Sequence, residues 1–492
     1  MRRQMYLLGA AVGLALAGAT AQAQMKDPLP DSLSLGGVTF YATIDIGYAY
    51  QSAGAPLGSQ LPGGLEYQAF TTTRNFSGSV STIAESGLEQ SKAGIRVSQP
   101  IGNDISLVAR AETGFNPLSG QLTDACASIA NNGGVGTPAN PAGQTSNADS
   151  SRCGQLFQGP INGGFSSPTM GQLTVGRHNS VQLDALAQYD PQALSYAFSF
   201  LGYSGFNGGA GSTEAARWDN SVRYAYTTSD FRLVGMYSSG GLDTGVLGKA
   251  YGVDVGVTYE GFSVDATYEN VNSAVNLRSS FDDGPNPLNP QPTPAEIAAG
   301  TSATPGLAAY ISDDTSYNIM AKYTTAVGDP SSKDKFTVYA GYSHIQKAHG
   351  NYPPGGTAAG NYELNVGINV NNSAVYEMEW IGARYAMGSG LNMTAAFYHV
   401  SQNSWTIGLT PTGNQGIGCS AAGLLCSGDF TEASFVLDYI INKHYDIYGG
   451  VNYSQVTDGL AWGFANDQGG GGSGTTGSQS ETTVMFGIRV RI

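Results

Sequence analysis

Residues 38–50 read VTFYATIDIGYAY, and their side chains alternate between apolar and more polar types. A β-strand turns successive side chains to opposite faces, so this stretch predicts a strand with one apolar side. The sequence VMFGIRVRI at 484–492 alternates in the same way and places Arg489 and Arg491 on the polar side. Both stretches therefore indicate two-sided strands rather than helices.

Segments of this kind recur along the whole chain and number 16. They lie at about 38–51, 89–98, 104–115, 156–166, 170–177, 217–227, 230–238, 249–259, 262–271, 314–324, 335–346, 375–387, 391–401, 430–441, 444–455 and 481–492. Short turns such as 260–261 alternate with long polar connections such as 116–155 and 178–216. An even number of strands, with short turns at one end and long loops at the other, is typical of a transmembrane barrel. A soluble β-sandwich seldom alternates so regularly.

The composition supports a barrel in lipid. Of 492 residues, 69 are Gly, 28 are Tyr and only 12% are charged, whereas soluble proteins carry about 25% charged residues. Outside the first 23 residues, no apolar stretch is long enough to predict a transmembrane helix. We therefore predict an all-β fold, a 16-stranded antiparallel transmembrane β-barrel with long external loops, in one domain at 24–492.

Residues 1–23 have the features of a cleaved signal peptide. Arg2 and Arg3 precede the apolar stretch LLGAAVGLALAG, and Ala21-Gln22-Ala23 forms a small-residue cleavage site. A transmembrane anchor is the alternative, but the apolar stretch is short. We therefore expect the chain to be exported.

The charge balance limits the partners. Without Arg2 and Arg3, 20 basic and 37 acidic residues remain, which gives a net charge of −17. Nucleic-acid binding requires a basic face, so a nucleic-acid partner is not expected. The lipid bilayer is the partner that the strand pattern predicts.

Four cysteines form two local pairs along the sequence. Cys126 and Cys153 bracket a polar segment, and Cys419 and Cys426 bracket CSAAGLLC. An even number of cysteines in an exported protein favours disulfide bonds, and we predict one within each pair. Four free thiols are the alternative.

Several motifs resemble the trimeric general porins of Gram-negative outer membranes, especially the proteobacterial type. GVTFYATIDIGYAY at 37–50 is similar to their first strand, and SKAGIRVSQPIGNDISLVARAETGFN at 91–116 is similar to the next two. GQLTVGRHNSVQLDALAQYD at 171–190 resembles the fifth strand and the start of the loop that folds into the pore. DYIINKHYDIYGGVNYSQ at 438–455 and the terminal FGIRVRI resemble the last hairpin and the last strand. The chain ends in Ile492 where the family has Phe, and Gly159 stands where the family commonly has a pore Arg.

The resemblance implies a homotrimer in which residues from Ser180 to about 216 fold into each pore. Charges on the polar faces of strands are candidates for the constriction, because a charge on the lipid face would cost about 2–4 kcal/mol at mid-bilayer. By resemblance, Lys92 and Arg217 match the basic wall and Arg177 lies at the root of the loop. The full set of candidate constriction residues is Lys92, Arg96, Arg110, Glu112, Arg177, Asp184, Asp190 and Arg217. An alternative role for these charges is to hold the loop against the wall through salt bridges.

The expected function is passive diffusion of small hydrophilic solutes and ions through a water-filled channel. Acidic side chains facing arginines across a narrow opening would select permeating ions by charge, and pore width would select solutes by size. The net charge of −17 predicts a mild preference for cations that fades with added salt. A substrate-selective channel for sugars or organic acids, and a structural or adhesive surface barrel, are the alternatives.

Enzymatic function is not expected. The five histidines show neither HxH nor HExxH spacing, and no serine lies in a G-x-S-x-G motif. We therefore predict no metal site, no catalytic residue and no cofactor.

Overall fold

The structure, a computed structural model, describes residues 33–52, 79–123, 155–203, 216–240, 248–278, 307–350, 357–359, 362–370, 373–404, 407–408, 427–458 and 477–492. Its strands, in chain order, are β1 (Leu33–Leu35), β2 (Val38–Gln51), β3 (Val80–Glu85), β4 (Lys92–Gly102), β5 (Ile105–Gly114), β6 (Ile161–Ser167), β7 (Gly171–Asn179), β8 (Arg217–Thr227), β9 (Phe231–Ser238), β10 (Ala250–Tyr259), β11 (Phe262–Arg278), β12 (Leu307–Ala326), β13 (Lys335–His349), β14 (Thr357–Ala359), β15 (Tyr362–Val370), β16 (Ala374–Ala386), β17 (Leu391–Gln402), β18 (Ile407–Gly408), β19 (Gly428–Ile440), β20 (Tyr445–Asp458) and β21 (Gly477–Arg491). Two helices, α1 (Val181–Tyr189) and α2 (Phe200–Tyr203), lie between β7 and β8.

The wall is a closed antiparallel barrel of 16 strand positions within the described ranges. The first strand, β2, pairs with the last, β21, from Gln51↔Thr483 to Thr43↔Arg491. β3 and β4 share the second position, because both pair with β2 on the same side. β1, β14, β15 and β18 are additional short strands, and β15 lies parallel to the first residues of β12. The predicted 16-stranded antiparallel barrel is therefore confirmed.

The two faces of the wall differ as the alternating sequence requires. In β10, Tyr251, Val253 and Val255 are exposed, whereas Gly252 and Asp254 between them are buried. An exposed band of apolar side chains suits contact with hydrocarbon, and the polar side chains face inward. In the part of the chain that the structure describes, no helix has the length and hydropathy needed to cross a membrane.

The second wall strand is interrupted, which the sequence did not indicate. A single strand was expected at 89–98, but residues 86–91 separate β3 from β4. In this interruption the Asp45 carboxylate replaces a neighbouring strand as hydrogen-bond acceptor. It accepts hydrogen bonds from the backbone N–H groups of Leu88 (2.8 Å) and Glu89 (2.9 Å). Gly87 permits the close approach of the Tyr448 side chain to this interruption, since a Cβ atom at position 87 would lie 2.3 Å from the Tyr448 hydroxyl oxygen.

Residues 180–203, which we call the inner segment, begin with a capped helix. The Ser180 hydroxyl accepts a hydrogen bond from the backbone N–H of Leu183 (3.2 Å), which satisfies one of the free donors at the start of α1. Val181, Ala185 and Leu186 bury the apolar side of this helix.

The inner segment is held by side chains on the inner face of the wall. The Gln182 backbone N–H donates to Glu269 on β11 (2.8 Å), and the Trp380 indole on β16 donates to the Tyr189 carbonyl (3.1 Å). Further along the segment, the Asn452 side chain on β20 donates to the Ala197 carbonyl (3.3 Å). Because these strands occupy different parts of a closed wall, the segment runs along the interior of the barrel.

Candidate functional site

A cavity of about 480 Å³ lies between the inner segment and the wall. Leu183, Ala187 and Pro191 border it on the side of the segment. Among the described residues, the charged side chains that line it are Glu89, Lys92, Arg110, Glu112, Asp184, Arg217, Arg384, Asp438, Arg489 and Arg491. Six of these are basic and four are acidic, so the cavity is densely charged although the protein as a whole is charge-poor.

The basic residues on β4 and β5 are partly paired. Lys92 lies 2.8 Å from a carboxylate oxygen of Glu89, and Arg110 lies 2.7 Å from a carboxylate oxygen of Glu112. Tyr41 joins the second pair, because its hydroxyl donates to Glu112 (2.9 Å) and accepts from Arg110 (3.2 Å). These contacts orient the two basic groups while leaving both side chains at the cavity.

The absence of a side chain at Gly159 leaves space for the Glu112 carboxylate. A Cβ atom at this glycine would lie 2.8 Å from a Glu112 carboxylate oxygen, so a larger residue would displace the carboxylate. The two backbones are also bonded, with the N–H of Gly159 donating to the Glu112 carbonyl (3.1 Å). The residue that departs from the family pattern therefore makes room for the buried acid of the Arg110 pair.

Asp184 is an acidic residue of the inner segment that lines the cavity. It lies in the first turn of α1, where the helix dipole favours a negative charge. Its carboxylate accepts from Asn179 (2.9 Å) and from Arg223 (3.0 Å), and its side chain remains 39% exposed. The group is thus held in place and still accessible to water.

Asp190, at the end of α1, has a different environment. It is 2% exposed and does not line the cavity. Its carboxylate accepts from the hydroxyls of Tyr398 (2.5 Å) and Ser199 (2.7 Å) and from the Leu194 backbone N–H (2.6 Å). Burial raises the pKa of Asp190, although these hydrogen bonds act in the opposite direction. The contacts fix the inner segment to itself and to β17.

Arg177 and Arg96 also lie apart from the cavity. Arg177 is 6% exposed, bonds Asp219 (2.6 Å) and donates to the Gln158 carbonyl (3.2 Å). Arg96 is exposed and stacks over the Tyr41 ring, with 4.4 Å between its guanidinium carbon and the ring centre. The structure therefore brings together Lys92, Arg110, Glu112, Asp184 and Arg217 around one cavity. Arg96 lies outside it but pairs with Arg110 across β4 and β5 and lines a second cavity with Arg110 and Asp184, whereas Arg177 and Asp190 line neither cavity.

Five further charged residues of the cavity were not among the predicted constriction residues: Glu89, Arg384, Asp438, Arg489 and Arg491. Arg384 lies on β16, Asp438 on β19, and Arg489 and Arg491 on β21. Each lies on the polar face of an alternating segment, which is the sequence signal that they share with Lys92 and Arg110. Sequence alternation shows which face a residue occupies but not its height along the strand, so it could not select them.

Cys126, Cys153, Cys419 and Cys426 lie outside the described residues, so both disulfide predictions remain untested. Within the described ranges, no three His, Cys, Asp or Glu side chains cluster as a group that could hold a metal ion.

The family model of the Gram-negative porins matches residues 9–459. The chain belongs to this family. Solved structures similar to this porin include an anion-selective porin from Comamonas acidovorans, with a TM-score of 0.54, 13% identity and coverage of 92% of this chain and 99% of that one. The outer membrane channel DcaP of Acinetobacter baumannii has a TM-score of 0.48 and 13% identity, with coverage of 93% and 99%. No curated protein matches the sequence.

Family and barrel together establish the general function. This porin is an outer-membrane channel, formed by a closed 16-stranded wall with an apolar outer face and a polar interior. The similarity to the solved structures, at 13% identity or less among those given above, supports the fold alone and says nothing about which solutes pass.

Proposed function

We propose that this porin filters small hydrophilic solutes and ions by size and charge at the cavity beside the inner segment. One observation carries the proposal: Asp184 on the segment lines the same cavity as Lys92, Arg110 and Arg217 on the wall. Opposite charges on two sides of a narrow aqueous passage orient and select permeating ions. The passage then works as a passive filter, and solutes cross it unchanged, with no catalytic step and no cofactor.

The eight predicted constriction residues divide between two roles in this proposal. Lys92, Arg110, Glu112, Asp184 and Arg217 act on the permeating ion, because they line the cavity. Asp190 supports the filter indirectly, since its hydrogen bonds hold the end of α1 in place. Arg177 and Arg96 support the wall, through Asp219 and Tyr41 respectively.

The preference of this channel for cations over anions should be weak. The cavity lining has two more basic than acidic residues among those described, whereas the chain without residues 1–23 carries a net charge of −17. The overall negative charge attracts cations to the pore mouth at low salt, and screening shortens its reach to about 10 Å at 0.1 M salt. The basic lining opposes this attraction, so cation preference should be mild and should decrease as salt is added.

Planar-bilayer recording tests the proposal. Purified protein should insert in large conductance steps, and the reversal potential in a salt gradient should report a mild cation preference. Saturable block by one class of sugar or organic acid would instead indicate a substrate-selective channel. Failure to conduct would contradict the filter and favour a structural or adhesive barrel.

We also propose that the mature protein begins after Ala23, forms a homotrimer in the outer membrane, and contains Cys126–Cys153 and Cys419–Cys426 disulfides. The signal-peptide pattern, the resemblance to trimeric porins and the oxidising compartment support these three proposals. N-terminal sequencing, the native mass in detergent and non-reducing peptide mapping test them separately. An uncleaved N-terminus, a monomer or four free thiols would contradict the respective proposal.

A further inference from the structure

Three buried oxygens near the closing seam of the barrel have no hydrogen-bond donor among the described residues. They are Gln51 Oε1 on β2, Asn452 Oδ1 on β20 and Glu481 Oε2 on β21. The three residues are 1%, 5% and 3% exposed, respectively. Buried polar atoms are almost always satisfied, so a group of unsatisfied acceptors on adjoining strands needs an explanation.

The strand register places these residues side by side on the inner face. Gln51 pairs with Thr483, and Thr483 pairs with Asn452 on the next strand. Side chains directly opposite each other on neighbouring strands have Cβ atoms about 5 Å apart. The Thr483 hydroxyl connects the group, because it accepts from Gln51 (3.4 Å) and donates to the other carboxylate oxygen of Glu481 (3.1 Å).

A second carboxylate lies in the adjoining row. Glu481 pairs with Ser454, and Ser454 pairs with Glu432 on β19. The two glutamates therefore flank one serine and stand two strand spacings apart, which is about 10 Å between backbones. Side chains from both strands can converge over a point between them. No Lys, Arg or His among the described residues forms a salt bridge with Glu481.

The inner segment covers this group from the interior of the barrel. The backbone N–H of Phe200 donates to Glu432 (3.0 Å), and the Asn452 amide donates to the Ala197 carbonyl (3.3 Å). The second bond uses the amide nitrogen of Asn452, so its oxygen is turned away from that carbonyl and remains available as a ligand.

We propose that Glu481, Glu432, Asn452 and Gln51 bind one calcium ion per chain. Calcium takes six to eight oxygen ligands at about 2.3–2.6 Å and accepts carboxylate and amide oxygens together. Magnesium requires nearly ideal octahedral geometry at about 2.0–2.1 Å, which side chains from four separate strands are poorly suited to provide. A bound calcium ion neutralises the two carboxylates and ties the β2–β21 seam to the inner segment.

Calorimetric titration of the full-length protein in detergent, after chelation of divalent ions, tests the site directly. Wild-type protein should bind one Ca²⁺ per chain, and Glu481→Gln should weaken that binding at least tenfold. Ca²⁺ should also raise the thermal midpoint of the wild type, because a ligand that binds only the folded state stabilises it. Mg²⁺ at the same concentration should have a smaller effect.

Glu379→Gln is the matched control, since Glu379 is an exposed carboxylate in the middle of β16. It should bind Ca²⁺ as the wild type does. Equal binding by wild type and Glu481→Gln, or no binding up to about 1 mM Ca²⁺, would overturn the proposal. If Glu481→Gln does not fold, Gln51→Glu replaces it, and an unchanged Ca²⁺ affinity in that variant would contradict the site. These readouts do not involve conductance, so they are independent of the charge filter.

Discussion

Asp184 and Asp190 lie at the two ends of the same short helix but in opposite surroundings. Asp184 is partly exposed at the cavity, where Asn179 and Arg223 hold its carboxylate. Asp190 is buried and accepts hydrogen bonds from Tyr398 and from the residues that follow it. The comparison shows that one short helix can carry both an acidic side chain exposed at the cavity and an acidic side chain that holds the segment in place.

The largest effect is expected from removing the buried aspartate. Asp190→Ala should release the end of the inner segment, because hydroxyl and backbone donors would lose their acceptor. Each hydrogen bond to a charged group contributes about 1.5–3 kcal/mol, so we expect the segment to be destabilised by about 3 kcal/mol or more. Hydrogen exchange of the inner segment and the current noise of single channels measure this.

Asp190→Asn is the intermediate control, because it keeps the volume and one acceptor oxygen. It should fall between the wild type and Asp190→Ala in both measurements. If Asp190→Ala leaves hydrogen exchange and current noise unchanged but shifts the reversal potential, Asp190 acts on permeating ions directly. Its role would then not differ from the role proposed for Asp184.

The next effect concerns the wall that faces Asp184. Arg217→Ser removes one of the six basic side chains that line the cavity and replaces it with a smaller group. We expect larger conductance and a severalfold shift of the permeability ratio toward cations. Arg232→Ser is not a suitable control because Arg232 bonds two buried aspartates, whereas Lys443→Ser changes a turn residue and should leave both quantities unchanged.

A smaller effect is expected at Asp184 itself. Asp184→Asn keeps the size of the side chain but removes its charge, and it leaves Arg223 without its carboxylate partner. The permeability ratio should shift toward anions by about twofold, with little change in conductance. An Asp184→Asn channel with greatly increased conductance would show that Asp184, like Asp190, mainly holds the segment.

The smallest effect is expected at Asp334, where a carboxylate accepts hydrogen bonds at the surface. Asp334 accepts hydrogen bonds from the Gly388 backbone N–H and the Tyr385 hydroxyl, as Asp190 accepts several, but it lies in an exposed turn. These bonds lower the pKa of Asp334, so its contribution to stability is present above its ordinary pKa of about 3.9 and is lost as the pH falls through the lowered value.

Asp334→Asn should therefore be slightly less stable than the wild type at pH 6, and the difference should vanish in strong acid. Thermal midpoints across this pH range measure the difference. A difference in thermal midpoint that grows as the pH falls would contradict the lowered pKa of Asp334.

The alternating pattern predicted the wall well because it is a local property of each strand. Closure of the predicted barrel requires the first and last segments, at 38–51 and 481–492, to pair, and β2 and β21 do so. The interruption at 86–91 was not predictable, since it depends on Asp45 and Gly87 meeting residues distant in sequence. β15 and β18 likewise depend on pairing with residues distant in sequence.

The candidate site was predictable only in part for a similar reason. Lys92, Arg110 and Arg217 lie on polar faces of strands, and the cavity contains them. Position within a loop could not distinguish Asp184 from Asp190, because Tyr398, which holds the second, lies more than 200 residues away. Arg384 and Arg489 were not selected because alternation gives no information on height within the barrel.

The most direct test of the charge filter is the reversal potential in a tenfold salt gradient, measured for wild type, Asp184→Asn and Arg217→Ser. Asp329→Asn, an exposed turn aspartate held by Ser331, is the control. We predict a shift toward anions for Asp184→Asn, a shift toward cations for Arg217→Ser and no shift for the control. Unchanged reversal potentials in both pore variants would contradict the account and place the filter elsewhere in the channel.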